Sequence, residues 1–280
     1  MNFASAVRTS STAEGAELRV SQYDWDRLSE ELDGFGCAVI KKLLSPEECR
    51  QIARLYPEEG HFRSHIHMAR HGFGKGEYRY FKCPLPDLID GLRTALYPHL
   101  ANIANVWNER MGIDQRYPEL HAEFLKQCRA QGQTRPTPLL LQYVPGDFNC
   151  LHQDIYGDLA FPLHVAILLS EPGNDFTGGE FVLTEQRPRM QSRAEVVPLQ
   201  QGDAVAFAVH NRPVKGTKGN YGVNLRHGVS RSRASRLSHR HCRPEDGQDT
   251  NRSVPSSVRS CVLRLGPRPA GSGSSPRHQR

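Results

Sequence analysis

The sequence contains no hydrophobic run that approaches the roughly 18 residues of a membrane-spanning helix. Its first residues, MNFASAVRTSSTAEGAEL, lack the apolar core of a signal peptide. We therefore expect a cytoplasmic protein that does not associate with membranes. C-x-x-C pairs are also missing, which argues against a disulfide scaffold and against a zinc ribbon. The seven cysteines are scattered and are Cys37, Cys49, Cys83, Cys128, Cys150, Cys242 and Cys261.

The C-terminal part of the chain has few acidic residues and, after Tyr221, no Phe, Trp or Tyr. Residues 231–280 hold 11 Arg, no Lys and three acidic residues, a formal charge of +8. Because the whole chain carries +6, residues 1–230 carry −2. The basic character that would indicate an anionic partner therefore belongs to residues 235–280, which have the composition of a low-complexity, Arg-rich, disordered tail.

The remaining sequence predicts an α+β fold of one large domain or two small ones. Residues 1–18 are small and polar and are predicted to be disordered. Residues 19–135 are predicted to be mainly helical, with a capping box at Ser45 and Glu48 and a break or kink at Pro98. Residues 136–234 contain short apolar runs separated by Gly, Pro, Asn and Asp, which is typical of an antiparallel sandwich or barrel.

The stretch LHQDI offers a metal site, because side chains two positions apart on a strand lie on the same side. His152 and Asp154 would supply two ligands of a two-His, one-carboxylate iron site, which leaves coordination positions open for substrates. The candidates for the third ligand are His164, His210 and His227. We favour His227, because a strand orients a ligand better than a loop does. A His-x-Asp pair alone also arises by chance in a buried strand.

A second group of histidines occurs in HFRSHIHMARHG. It has no regular ligand spacing and no carboxylate or cysteine close by in the sequence. A solvated loop or a surface that faces the substrate is therefore the favoured interpretation, with a zinc site as the alternative. The residues are His61, His65, His67 and His71.

Four motifs in order, LLLQYVPGDFNCLHQD, FTGGEFVL, QGDAVAFAV and LRHGVSRSR, resemble the 2-oxoglutarate/Fe(II)-dependent dioxygenases of the prolyl-hydroxylase-like branch. The resemblance covers about residues 138–234 and implies a double-stranded β-helix (jelly roll) core preceded and flanked by α-helices. The stretch from GEYRYFKCPLPDLIDGLR to QTRPTPLLLQY is also similar to a bacterial subfamily described as oxygenases that act on damaged DNA.

The resemblance implies roles for individual residues. His152, Asp154 and His227 match the catalytic iron ligands. Tyr143 matches a strand tyrosine that supports the carboxylate of 2-oxoglutarate, although ordinary strand packing explains it equally well. The family binds that carboxylate with an Arg or Lys nine or ten residues beyond the distal histidine, which indicates Arg236, with Arg233 and Arg231 nearby.

The cofactor and co-substrates implied in the same way are Fe(II), 2-oxoglutarate and O₂. The reaction would release succinate and CO₂ and hydroxylate the substrate. At an N-methyl carbon of a damaged base, hydroxylation would release formaldehyde, which is oxidative demethylation and a form of DNA repair.

The substrate and partner are open at the level of sequence. Nucleic acid follows from the subfamily resemblance, but residues 1–230 lack the basic excess typical of such enzymes. A local basic surface would have to come from Arg63, Arg70, Lys75, Arg79 and Lys82. A protein (prolyl-type) or small-molecule hydroxylase is one alternative. A non-catalytic cupin-like binding module and a different metal hydrolase are others. The sequence gives no indication of oligomeric state.

The tail departs from the pattern of the family, in which a further apolar strand should follow the His-Gly-Val strand. Ser235–Arg243 can be encoded as AGC CGG CTT TCA CAT CGG CAT TGT CGT. Without the first base, the same codons read Ala-Gly-Phe-His-Ile-Gly-Ile-Val, which is an apolar strand. We therefore hypothesise that residues from about 235 onward are out of frame, in which case Arg231 or Arg233 gains weight over Arg236.

Overall fold

The computed structural model describes residues 14–154, 160–235 and 260–265. In these residues, two antiparallel sheets face each other as a double-stranded β-helix, and helices cover the outer face of the larger sheet. The α+β class and the jelly-roll core expected from the sequence are thus confirmed. No helix in the described ranges is long and apolar enough to cross a membrane.

The larger sheet has seven strands, and each neighbouring pair is antiparallel. In spatial order the strands are β1 (Cys37–Ile40), β11 (Ala204–Ala208), β7 (Leu163–Leu168), β15 (Ser260–Leu265), β5 (Leu139–Tyr143), β4 (Glu77–Phe81) and β2 (Phe62–His67). Four of them, β1, β7, β11 and β5, are apolar and buried along most of their length, as expected for strands covered on both faces.

The smaller sheet lies opposite and supplies the strands of the HQD and RHGV motifs. In spatial order it contains β10 (Arg193–Val197), β9 (Phe181–Gln186), β13 (Gly219–Val229), β6 (Phe148–His152) and β3 (Gly74–Lys75), with β12 (Asn211–Gly216) also paired to β13. A separate two-stranded ribbon joins β8 (Phe176–Gly178) to β14 (Ser232–Ala234).

The helices are residues 14–21 (α1), α2 (Trp25–Phe35), α3 (Pro46–Arg54), α4 (Asp87–Arg110) and α5 (His121–Ala130). The predicted capping box at Ser45 and Glu48 is confirmed, with Pro46 at the first helical position. The prediction of a helix break at Pro98 is wrong, because α4 continues through that residue. The apolar face of α4 packs on the outer face of the larger sheet, so its burial offsets the hydrogen bond that proline removes.

Two sequence expectations about the ends of the chain need correction. Disorder is wrong for residues 14–18, which lie in α1 and bury Ala16 in the core; residues 1–13 lie outside the described residues. The part before residue 136, expected to be mainly helical, holds the helices α1–α5 and also contributes β1, β2, β3 and β4 to the two main sheets.

The expectation of a tail without strands is also wrong, at residues 260–265. These residues form β15, which pairs with both β5 and β7 in the interior of the larger sheet. The physical reason is that SCVLRL, although short, alternates side chains that the core can bury, and Leu263 and Leu265 are buried. The reading-frame hypothesis stays a prediction, because residues 236–259 lie outside the described residues.

Candidate metal centre

The HQD and RHGV motifs meet where β6 pairs with β13. His152 and His227 are direct partners in the antiparallel register, and their ring centroids lie 4.3 Å apart. Asp154 follows two residues after His152, just past the end of β6, and its side chain is fully buried. Strand pairing therefore sets the distance between the two imidazoles, and the two-residue period places the carboxylate beside them.

The three side chains aim ligand atoms at one point. Asp154 Oδ1 lies 3.6 Å from His152 Nε2, and Asp154 Oδ2 lies 3.2 Å from His227 Nε2. The ligand atoms of the three residues all lie within 4.8 Å of one another. Ligands about 2.1 Å from a metal ion are about 3 Å apart when they occupy adjacent octahedral positions. The residues therefore fit a metal ion of the kind that two imidazoles and one carboxylate hold.

Local contacts fix the orientation of both imidazoles. His152 Nδ1 lies 2.8 Å from the carbonyl oxygen of Cys150, so an Nδ1–H that donates to this carbonyl leaves Nε2 free to act as a ligand. The His227 ring packs against Phe207, 4.6 Å away by ring centroids, and the Phe181 ring lies 6.2 Å from it in the same aromatic cluster.

The glycine of the His-Gly-Val motif permits the close approach of β13 to β6. A Cβ atom at Gly228 would lie 2.7 Å from the carbonyl oxygen of Asn149, closer than real Cβ contacts. Any side chain here would push the two strands apart and separate His227 from His152. In the His-Gly-Val motif, the candidate ligand His227 is therefore followed directly by Gly228, the residue that allows His227 to lie close to His152.

A third imidazole contacts the same carboxylate. His164 Nδ1, on β7 of the opposite sheet, lies 3.4 Å from Asp154 Oδ2, and the residue is 1% exposed. The sequence marked His164 only as an alternative ligand or as a core histidine. No sequence pattern indicates this contact, because it depends on the register of β7 with β11, which pairs His164 with Phe207, a residue that packs on His227.

A mainly apolar cavity lies beside His227 between the two sheets. Tyr143 lines it and is 1% exposed. Other lining residues are Leu141, Ala166, Phe181, Phe207 and Val262. A concave, mainly apolar pocket next to convergent polar groups is typical of a ligand site.

The structure does not bring the other predicted residues to this cavity. Arg233 is exposed on β14, and Arg236 lies outside the described residues. Arg231 is exposed, with its guanidinium 5.5 Å from the centre of the Phe148 ring. His210 immediately precedes β12, outside the cluster of ligand atoms, and burial lowers the pKa of its imidazole. In the part of the chain that the structure describes, no Arg or Lys lines the cavity beside His227.

The solved structures that are similar to this chain include several oxygenases. A prolyl-4-hydroxylase from Pseudomonas putida is 14% identical with a TM-score of 0.44, and the match covers 87% of this chain and 98% of that one. The non-heme alpha ketoglutarate dependent epimerase SnoN from nogalamycin biosynthesis is 13% identical with a TM-score of 0.46, covering 89% and 87%.

Sequence relatives include two proteins of Mycobacterium tuberculosis, from strains CDC 1551 / Oshkosh and ATCC 25618 / H37Rv, both described as uncharacterized. Each is 47% identical over 154 residues, which is 55% of this chain and 66% of the relative. The match thus spans just under two thirds of the length of these relatives.

Residues 76–241 match the sequence model of the family Oxygenase-NA, described as "Oxygenase, catalysing oxidative methylation of damaged DNA". The matched span includes all four motifs and the residues His152, Asp154 and His227. Because it is more than half of the chain, the chain belongs to this family of oxygenases, as the resemblance in its sequence predicted.

Proposed function

We propose that the protein is an Fe(II)- and 2-oxoglutarate-dependent dioxygenase that oxidises methylated bases in damaged nucleic acid. The observation that carries the proposal is the convergence of His152, Asp154 and His227 beside a mainly apolar cavity. A cupin-like module without catalysis would leave these side chains dispersed, whereas their ligand atoms lie within 4.8 Å of one another.

In this proposal, His152, Asp154 and His227 hold Fe(II), which supplies the chemistry of O₂ activation. The two imidazoles bind through nitrogen, and the Asp154 carboxylate neutralises part of the charge of the ion. Phe181 and Phe207 exclude water from the side of His227. Tyr143 lines the cavity, and we assign its hydroxyl to the carboxylate of 2-oxoglutarate.

The overall reaction conserves atoms. One O₂ and one 2-oxoglutarate give succinate and CO₂, and the second oxygen atom enters a C–H bond of the substrate as a hydroxyl group. A hydroxylated N-methyl group then releases formaldehyde and leaves an N–H on the base. Transfer of a methyl group onto DNA would need a methyl donor, which this set of reactants lacks, so the proposed reaction removes methyl groups.

A surface on the cavity side of the larger sheet supports a nucleic-acid substrate. Tyr78 and Tyr80 of β4 are partners of Leu141 and Leu139 of β5, so they lie on the same face as Tyr143. The two tyrosine rings are 5.5 Å apart, and the Arg63 guanidinium lies 4.3 Å from the centre of the Tyr80 ring. Aromatic rings with an adjacent arginine are typical of sites that stack unpaired bases.

The same register divides the basic residues that the sequence grouped together. Arg79 is the partner of Leu140, so it lies on the opposite face from Tyr78 and Tyr80. Of these two arginines, only Arg63 stacks on a tyrosine of the cavity face. The proposed contact with DNA is therefore a narrow aromatic surface with an arginine, which does not require a high net charge on residues 1–230.

The first test is an anaerobic titration of the protein with Fe(II) and 2-oxoglutarate. We expect the weak metal-to-ligand charge-transfer band of an iron–2-oxoglutarate complex, its loss in His152→Ala and its retention in His210→Ala. The absence of the band, or its equal presence in His152→Ala, would contradict the proposed metal centre.

The second test identifies the substrate by following succinate and formaldehyde. We expect both products with a single-stranded oligonucleotide that carries N-methylated bases, and neither above background with the unmethylated oligonucleotide. Tyr80→Ala should raise KM for the oligonucleotide while leaving 2-oxoglutarate binding unchanged. Turnover of a proline-containing peptide in place of the oligonucleotide would replace the nucleic-acid assignment with the prolyl-type alternative.

A further inference from the structure

A second group of metal-binding side chains lies at the edge of the larger sheet. His65 and His67 are on the edge strand β2, and Glu77 is on its neighbour β4, where it is the direct partner of His67. Glu77 Oε2 lies 2.7 Å from His65 Nε2 and 3.4 Å from His67 Nδ1. The ligand atoms of the three residues lie within 4.8 Å of one another.

This group lies on the opposite face of the sheet from the proposed iron site. Glu77 is the partner of Gln142, whereas the next residue, Tyr78, is the partner of Leu141, which lines the cavity. Because neighbouring side chains on a strand alternate between faces, Glu77 and its partner His67 face away from the cavity. The group is therefore separate from His152, Asp154 and His227.

The donors are accessible, and among the described residues no Arg or Lys side chain forms an ion pair with Glu77. The side chains of His65, His67 and Glu77 are 33%, 45% and 30% exposed. Arg79, the strand neighbour of Glu77, holds its guanidinium over the rings of Tyr56, at 4.9 Å, and Phe62, at 5.8 Å.

A simple ion pair does not account for the second imidazole. The rings of His65 and His67 are 4.4 Å apart by their centroids. If both were protonated to pair with Glu77, the two positive charges would repel each other at this distance. Two neutral imidazoles and a carboxylate avoid this repulsion when they share one cation, and two imidazoles with one carboxylate are a common set of zinc ligands.

We propose that His65, His67 and Glu77 form a second divalent-metal site, which takes Zn(II) and joins the edge strand β2 to β4. About 3.4 Å separates the ligands of a tetrahedral zinc ion with bonds of about 2.1 Å. The His67–Glu77 distance of 3.4 Å matches this value, whereas His65 Nε2, at 2.7 Å from Glu77 Oε2, has to move away from the carboxylate when the ion binds. The three side chains leave a fourth position for water. Bound zinc stabilises the edge of the sheet whose other face carries Tyr78 and Tyr80.

The test measures Zn(II) binding to the full chain by competition with a chromophoric chelator. All proteins carry Asp154→Ala, which removes the carboxylate of the proposed iron site. His239, His241 and Cys242, which lie outside the described residues, also offer metal donors, so the readout is the difference between variants. The compared proteins are the Asp154→Ala background alone and the same background with His65→Ala, Glu77→Gln or His61→Ala.

His61→Ala is the matched control, because His61 Nε2 contacts Glu58 Oε2 at 3.0 Å in a pair without a second imidazole. We expect His65→Ala and Glu77→Gln each to raise the Kd of one bound equivalent of Zn(II) at least tenfold. His61→Ala should leave the binding curve unchanged. Four identical binding curves would overturn the proposal.

A second measurement needs no substitution in the group and so does not depend on how the variants fold. Diethyl pyrocarbonate modifies exposed histidines, and mass spectrometry identifies each modified residue. We expect Zn(II) to protect His65 and His67 of the Asp154→Ala protein, and to leave His61 reactive. Equal modification of His65 and His67 with and without saturating Zn(II) would overturn the proposal.

Discussion

Replacement of His164 by phenylalanine tests whether this buried imidazole positions the carboxylate of the proposed iron site. His164 Nδ1 lies 3.4 Å from Asp154 Oδ2, and both side chains are 1% exposed or less. Loss of a hydrogen-bonding partner from a buried polar group costs about 1–3 kcal/mol, and each 1.4 kcal/mol is about a factor of ten in affinity. Substitutions that disturb the support of a metal ligand typically weaken metal binding about 10–100-fold.

We therefore expect Fe(II) to bind His164→Phe about 10–100-fold more weakly than the wild-type protein. His164→Asn, whose amide can still donate to Asp154, should recover most of the affinity. Fe(II) affinity is measured anaerobically by competition with a chelator, and folding is checked by urea unfolding. Unchanged Fe(II) affinity in His164→Phe would refute the reasoning, as would equal losses in the phenylalanine and asparagine variants.

The remaining predictions concern stability. Burial and then the Arg93 cation lower the pKa of His121 to about 3, below its unfolded value of about 6.5. The neutral ring therefore contributes stability that is lost as the pH falls from 6.5 towards 3. Between pH 7 and pH 5, the free energy of unfolding in urea should fall by about 2 kcal/mol more for the wild-type protein than for His121→Phe. Equal decreases in the two proteins would exclude this role. His121→Phe should keep its Fe(II) affinity and so serves as the buried-histidine control for His164→Phe. Asp203 accepts hydrogen bonds from Lys41 Nζ (2.8 Å) and the Lys42 amide (2.9 Å), so Asp203→Asn should cost about 2–3 kcal/mol at neutral pH. Burial raises the pKa of Asp203, but these donors outweigh it and keep the pKa below its usual value. The stabilisation by the Asp203 carboxylate is therefore lost when acid protonates it. An Asp203→Asn protein whose stability falls with decreasing pH as steeply as that of the wild type would contradict this role. Gly202 has φ +83°, and a Cβ there would lie 2.1 Å from the Leu44 carbonyl oxygen, so Gly202→Ala should be more destabilising than Asp203→Asn by the same assay; the reverse order would count against this reading.

The order of motifs along the chain predicted the fold and the family, because each motif has a local physical cause. The two-residue period places His152 and Asp154 on one side of a strand. Gly228 permits the approach of β13 to β6, and Asp203 joins the turn before β11 to the residues after β1. Each requirement falls on one or two residues of a motif, even where their partner is distant along the chain, and so it leaves a signature in the sequence.

Contacts between distant segments left no such signature. Glu77 lies ten or more residues beyond His65 and His67, and only the pairing of β2 with β4 brings it to them. The sequence therefore shows no carboxylate near the histidine cluster, because Glu77 approaches these histidines only in the folded sheet. The contact of His164 with Asp154 has the same origin, since it crosses from one sheet to the other.

The tail shows a different limit, because composition describes a segment and not each residue in it. Six residues of alternating character were enough for β15, although the surrounding sequence is polar and Arg-rich. The frame hypothesis makes a separate prediction that sequencing the gene checks. If neither shifted frame encodes an apolar strand near residue 235, the hypothesis is wrong.

The position of β15 also sets the order in which the protein can be completed during synthesis. β5 and β7 leave the ribosome long before residues 260–265, yet β15 is the strand that pairs with both. Until it arrives, the two strands expose unpaired backbone groups in the middle of the sheet, where another chain can add a strand, and the cavity lacks the wall formed by Val262. A chain released early would carry every proposed iron ligand and still be a target for aggregation and proteolysis. In a chain whose reading frame is correct through residue 265, completion of the larger sheet therefore depends on β15 as well as on the strands that carry the motifs.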